Sequence, residues 1–182
     1  MQQAQPDFGA TFDAGLVSNA LGFSVSDFDS SMPIEAVDTG LPYLIVFLKD
    51  LDTIQNIKLN NEKVEQFLRS QKLYKENSST GLTTSIFFVT KETENKQHKY
   101  HSRMFVLEGD TIWEDAATGS ANGCLLAYLL KNVQTQVSAI VEQGYEMGRE
   151  SLLYLDGELN DNNYILKVGG QVVPISEGRW SI

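Results

Sequence analysis

The stretch Ala121 to Leu130 reads Ala-Asn-Gly-Cys-Leu-Leu-Ala-Tyr-Leu-Leu, and wound as a helix its later turns are apolar on nearly every side. A surface helix keeps a polar face, so a helix without one must be enclosed by other structure. Short apolar runs that read as strands accompany it: Tyr43–Leu48, Ser85–Thr90, Arg103–Glu108, Val137–Glu142, Leu152–Asp156, Tyr164–Val168, Gln171–Ser176 and a terminal Arg179–Ile182. Gly, Asn and Asp punctuate the later ones, at Gly144, Gly148, Gly157, Asn160–Asn163, Gly169–Gly170 and Gly178. The combination predicts an α+β fold in which a strongly curved, mostly antiparallel sheet wraps round a central apolar helix. With 182 residues, 42% of them hydrophobic, the chain can bury a core of that kind as one domain.

The first half adds two helices. Asp13 to Leu21 places Leu16, Ala20 and Leu21 on one side, and Gly22 ends it. Asn60 caps a second helix that ends near Lys72, with Val64, Phe67 and Leu68 on its apolar face. Ser24 to Pro33 reads as a polar turn. The Tyr43–Leu48 run reads as a buried strand entered through Thr39-Gly40-Leu41-Pro42. Asn77 to Thr84 is a Ser/Thr/Gly loop, and residues 91–100 form a charged hairpin or loop expected to be the most mobile segment.

Charge excludes some partners. Asp and Glu number 24 against 14 Lys and Arg, a formal net charge of −10, and the most basic stretch, Lys91 to Arg103, is interrupted by Glu92 and Glu94. Phosphate backbones and anionic membranes repel such a surface, so neither nucleic acid nor membrane is an expected partner. No basic segment followed by an apolar stretch opens the chain, and no apolar run approaches the ~20 residues that span a bilayer; a cytoplasmic location follows by default. The single cysteine, Cys124, lies beside Gly123, Leu125 and Leu126 and reads as a small buried hydrophobe rather than a nucleophile. His98 and His101 lack a third ligand, so no metal is expected. Arg103 reads equally as facing a pocket or pairing with a carboxylate. No Gly-rich phosphate loop or dinucleotide fingerprint is present.

The stretch able to carry chemistry is Trp113-Glu114-Asp115-Ala116-Ala117-Thr118-Gly119-Ser120-Ala121-Asn122-Gly123, which leads into the apolar helix. Thr118 or Ser120 can cap that helix, and Gly119 lets a ligand approach the backbone closely. The unpaired amides of a first helical turn, with the helix dipole, suit a carboxylate or phosphate. Asp115 stands just ahead, so one turn offers an acid and an anion cradle, as a ligand bearing an amine and a carboxylate would need. Equally, Asp115, Thr118 and Ser120 can be read as helix-capping residues alone. Glu114 is expected to point to solvent.

Glu114-Asp115-Ala116-Ala117-Thr118-Gly119-Ser120-Ala121 resembles the Glu-Asp-Pro-Ala-Thr-Gly-Ser-Ala signature of PhzF-like (phenazine biosynthesis) proteins, with Ala116 in place of proline. Ser102-Arg103-Met104-Phe105 matches that family's Ser-Arg-Met-Phe strand. Glu142-Gln143-Gly144 with Met147-Gly148-Arg149 resembles its Glu-Gln-Gly…Met-Gly-Arg stretch, with Glu150 where Pro-Ser usually begins. Val168-Gly169-Gly170 leading to Glu177-Gly178 resembles the closing hairpin, and Met1-Gln2-Gln3…Pro6 and Thr39-Gly40-Leu41-Pro42 also fit.

The resemblance implies one lobe of a diaminopimelate epimerase-like fold, and isomerase chemistry without a cofactor on a small amino- or hydroxy-carboxylic acid. In such proteins a Glu of the N-terminal lobe moves a proton on substrate carbon. Asp115 is the implied catalytic residue, orienting the substrate amine and assisting proton transfer. Thr118, Gly119 and Ser120 are the implied substrate-binding residues, Gly119 and Ser120 holding its carboxylate. Residues 1–182 correspond to the C-terminal lobe, with 1–22 as the lead-in strand and helix of the inter-lobe connection. No general base is carried over; Glu142 and Glu146 read as structural or solvated. The missing half is expected from a separately encoded N-terminal lobe or through a homodimer, unless the chain is truncated at an internal methionine. The competing expectation is a small-molecule-binding or interaction module, or an inactive remnant, lacking the general base.

Overall fold

A strand that is apolar at every position needs cover on both of its faces, and Tyr43–Leu48 is buried throughout. The computed structural model, which describes residues 1–180, supplies that cover from two sides. Nine strands form one sheet: β1 (Asp7–Phe12), β2 (Ile34–Asp38), β3 (Pro42–Phe47), β4 (Ser85–Thr90), β5 (Tyr100–Glu108), β6 (Thr111–Asp115), β7 (Gln136–Gln143), β8 (Ser151–Asn160) and β9 (Asn163–Gly170). Among the described residues four α-helices accompany them: α1 (Ala14–Leu21), α2 (Leu51–Gln55), α3 (Asn61–Ser70) and α4 (Gly119–Asn132). The strand order is β1-β2-β3-β4-β5-β7-β8-β9, with β6 paired to β5. The β3–β4 and β5–β7 pairs are parallel and the others antiparallel. The sheet is strongly curled, a half-barrel.

Side-chain alternation divides the interior. Tyr43, Ile45, Phe47, Phe87, Val89 and Met104 join α4, all of whose residues from Ala121 to Leu130 are buried, in one core. Leu44, Val46, Leu48, Ile86, Phe88, Phe105 and Leu107 project from the same strands into a second core with Val17 and Leu21 of α1, Ile54 of α2, and Val64, Phe67 and Leu68 of α3. Helix α4 packs on β2, β3, β7, β8 and β9.

Local signals act as expected at α1 and α3. The Asp13 carboxylate accepts from the Gly15 and Leu16 amides, and Gly22 closes α1 at φ 81°. Asn60 accepts from the Lys63 amide, although α3 ends at Ser70 rather than near Lys72.

Elsewhere the structure departs from the expectations. The segment Ile34–Asp38 is a strand, Leu51–Gln55 a short helix, and Thr111–Asp115 a strand that turns back on β5, none of them anticipated. Gln171–Ser176 is not a strand: pairing to β8 ends at Gly170, and among the described residues no strand edge pairs with 171–176. Of the expected terminal strand Arg179–Ile182, Arg179 and Trp180 are likewise outside any strand, while 181–182 lie outside the described residues. The segment 91–100, expected to be a charged hairpin or loop and the most mobile one, is a loop over 91–99 that runs into β5 at Tyr100. It is tied down by amide hydrogen bonds from Glu94 and Asn95 to the Glu142 carboxylate and from Lys99 to Ile140. Residues Met1–Gln5 run along β9, through Gln3 N–H to Leu166 O and Val168 N–H to Met1 O, before entering β1 at the other end of the strand order.

Candidate functional site

The hairpin β5–β6 delivers Asp115 to the amino end of α4, and β7 occupies the same edge of β5, paired at Tyr100–Ser102. This stacks the end of β7 directly on the turn after β6. A Cβ on Gly144 would lie 2.5 Å from Arg149 O and 2.7 Å from Ala116 O, and its φ is +81°. Only glycine permits that approach.

Across the contact, the buried Gln143 amide reaches the turn. Its Nε2 donates to Asp115 O at 2.8 Å and to Thr118 Oγ1 at 2.9 Å. Its Oε1 accepts from Thr118 N at 3.2 Å and from Asn122 Nδ2 at 3.2 Å. Thr118 Oγ1 donates onward to Asp115 Oδ2 at 2.6 Å. Ser120 Oγ is 2.7 Å from the phenol oxygen of Tyr43, which is 4% exposed. Burial, with a smaller push from Cys124, Asp115 and Asp38, outweighs the Ser120 hydrogen bond and holds the phenol above its ordinary 10.0, so Tyr43 stays neutral.

Thus Asp115, Thr118 and Ser120 are gathered at one helix terminus, but neither hydroxyl caps it. Among the described residues no side-chain cap closes α4 at Thr118, whose hydroxyl turns to Asp115 instead. A cavity of about 710 Å³ opens at the same turn, lined by Met1, Ala117, Gly119, Tyr145, Glu150, Leu152, the β9 end from Val168 to Gly170, and Gln171 and Val172 beyond it. It meets the turn through Ala117 and Gly119, whereas Asp115, Thr118 and Ser120 are not in its lining.

Glu114, expected in solvent, is instead largely buried and holds Arg103 in a two-pronged pair, 2.8 Å to Nε and 2.7 Å to Nη2. The hairpin register puts the two on neighbouring strands, and desolvated charges must find partners. Arg103 also donates to the Ile54 and Gln55 carbonyls, ending α2. His98 and His101 both turn to Glu142, at 2.7 and 2.9 Å, and Glu146 meets the other ring nitrogen of His101 at 2.9 Å. Glu142 is therefore structural. The Cys124 thiol, buried beside Thr39, is pushed up to about 12 by burial and is no nucleophile.

Sequence reasoning misses Gln143 and Tyr43 as site residues. Gln143 lies within the Glu-Gln-Gly motif, and Tyr43 directly follows Thr39-Gly40-Leu41-Pro42; those positions are the available signals.

A curled half-barrel sheet with helices on it, and a polar cluster gathered where one buried helix begins, defines a mixed α+β protein with a ligand-sized cavity at that turn. The chain belongs to the PhzC-PhzF family, phenazine biosynthesis-like protein, whose model matches residues 2–178. It is 29% identical over 171 residues to the uncharacterized isomerase YfhB of Bacillus subtilis (strain 168), covering 92% of this chain and 54% of that one. It is 28% identical over 160 residues to the trans-2,3-dihydro-3-hydroxyanthranilate isomerase of Pseudomonas fluorescens, covering 87% and 49%. The crystal structure of a Bacillus anthracis phenazine biosynthesis protein of the PhzF family superposes with a TM-score of 0.70 at 26% identity, covering 93% of this chain and 56% of that one. The chain thus spans about half the length of the relatives it matches. Among the described residues no helix is long and apolar enough to cross a membrane.

Proposed function

We propose that this chain is the substrate-holding lobe of a PhzF-type isomerase acting on a small amino- or hydroxy-carboxylic acid, by proton transfer at carbon without a cofactor. The observation that carries the reading is the ordered cluster at the start of α4: Asp115 bonded to Thr118, and Ser120 bonded to Tyr43, beside a cavity that touches Gly119. Asp115 orients the substrate amine and assists proton transfer, while the Gly119 and Ser120 amides and the Ser120 hydroxyl hold its carboxylate. Residues 1–182 act as one C-terminal lobe with α4 as its central helix, and 1–22 as the lead-in from an inter-lobe connection. The relatives named isomerases, and a matched share of about half their length, support this division. The general base comes from a second lobe or a second copy of the chain, since Glu142 is committed to four hydrogen bonds. The protein works in the cytoplasm on small carboxylates.

The test uses the purified chain in D2O with a panel of small amino and hydroxy acids. Saturable binding, weakened at least about tenfold by Asp115→Asn as expected for loss of a charged hydrogen bond, supports the holding role. Deuterium incorporation at carbon, lost in that variant, adds catalysis by this chain. Binding without exchange places it as a binding module, and no binding to any of the panel sinks the proposal.

A further inference from the structure

The backbone around Gln143 decides which way its amide faces. Asp115 O can only accept and Thr118 N–H can only donate, so Nε2 lies toward the first and Oε1 toward the second. Nε2 then also donates to Thr118 Oγ1, so in that contact the hydroxyl oxygen is the acceptor. The one hydroxyl proton of Thr118 is left to go to Asp115 Oδ2. The relay runs from amide to hydroxyl to carboxylate, held at one end by the Gln143 donor, 28 residues from Asp115 along the chain, and at the other by the accepting Asp115 carboxylate.

Asn122 shows that the arrangement is held at a cost. Its Nδ2 donates to Thr118 O and to Gln143 Oε1, both obligate acceptors here, which orients this amide as well. Its Oδ1, in a residue with no exposed surface, has no hydrogen-bond partner among the described residues. A buried acceptor without a partner is unfavourable and rare, and it persists here because the other orientation would set acceptor against acceptor at both contacts.

We propose that Gln143 is a positioning residue of the candidate site: through Thr118 it fixes which oxygen of Asp115 is engaged and leaves Oδ1 for a ligand's cationic or hydroxyl group. This rests on the substrate-holding reading of the turn, yet its first test needs no ligand. Gln143→Met keeps length and burial but removes the amide; Gln143→Leu also removes the donor with a shorter apolar side chain.

In the free protein, the Thr118 hydroxyl proton should exchange slowly enough to be seen by NMR. In Gln143→Met, with the amide spectrum elsewhere intact, it should exchange roughly tenfold faster or more, as expected for loss of an ordered bond to a charged acceptor. Unchanged exchange in a folded Gln143→Met overturns the proposal. If that variant does not fold, Gln143→Leu serves the same reading, since its side chain cannot donate to Thr118. A double-mutant cycle with Thr118→Val and a small amino acid as the probe then reads binding. Gln143→Met should weaken binding in the wild-type background and have no further effect once the Thr118 hydroxyl is gone; additive losses overturn action through Thr118. Absence of probe binding by the wild type counts against the functional reading instead, while the hydroxyl exchange still decides the role of Gln143.

Discussion

Removing the carboxylate of Glu142 should be the most damaging single change outside the apolar cores. Glu142 has no exposed surface and accepts from the Glu94 amide at 2.9 Å and the Asn95 amide at 2.8 Å, while facing His98 Nδ1 at 2.7 Å and His101 Nδ1 at 2.9 Å. His101 is itself wholly buried, with Glu146 at its other nitrogen. Both ring nitrogens face carboxylates, so both bonds require an imidazolium. Burial alone would pull the ring down, but hydrogen bonds to Glu146 and Glu142, and their charges, hold it above 6.5. Burial would raise Glu142, yet bonds from His101, the Asn95 amide, His98 and the Glu94 amide hold it below 4.5. Glu142→Gln leaves at least one backbone amide unpaired and strips one charge partner from a buried cation. Breaking a buried pair in this way costs about 3–5 kcal/mol. For a chain of this size each kcal/mol is worth about 2–4 °C, so the melting temperature should fall by roughly 6–20 °C at pH 6.

The same groups set the pH dependence. A raised imidazole contributes stability that is complete below 6.5 and is lost as pH rises through its folded value. The lowered Glu142 and Glu146 contribute stability that is present above 4.5 and is lost as pH falls through their folded values. The wild type should therefore be most stable between those limits, and Glu142→Gln should flatten the alkaline decline. Urea unfolding at a series of pH values, with calorimetric melting, measures both. A variant within about 1 kcal/mol of the wild type, or with the same decline above pH 6.5, would refute the reasoning.

Gly144→Ala should destabilise by at least about 1–2 kcal/mol from the left-handed backbone alone, and by more because the added methyl meets two carbonyl oxygens. Chemical denaturation reads it, and a neutral result would contradict the packing of β7 on the Ala116 turn. Cys124, pushed up to about 12 and buried, should resist a thiol-specific disulfide reagent at neutral pH in the folded protein and react within the dead time once the chain is unfolded.

Much of the scaffold was legible because its causes are local. An all-apolar helix demands enclosure wherever it sits, and Ala121–Leu130 is buried. Asp13, Gly22 and Asn60 act within a turn of themselves, so α1 declares both its ends and α3 its start. Strand propensity is local too, but a strand exists only beside a partner edge. Gln171–Ser176 has the composition and no edge, whereas Thr111–Asp115 becomes a strand because the Gly109–Asp110 turn folds it onto β5.

The site divides along the same line. By itself the sequence determined that an acid, two hydroxyls and a glycine would meet at the start of a buried helix, because they are consecutive with it. The tertiary structure alone decided what those groups are bonded to. Glu114 finds Arg103 through the hairpin register, and Gln143 reaches Asp115 and Thr118 because β7 shares an edge of β5 with β6. Hydrogen bonds of that kind depend on direction and on distances of about 3 Å, which follow from how strands are paired in space and leave no periodic trace along the chain.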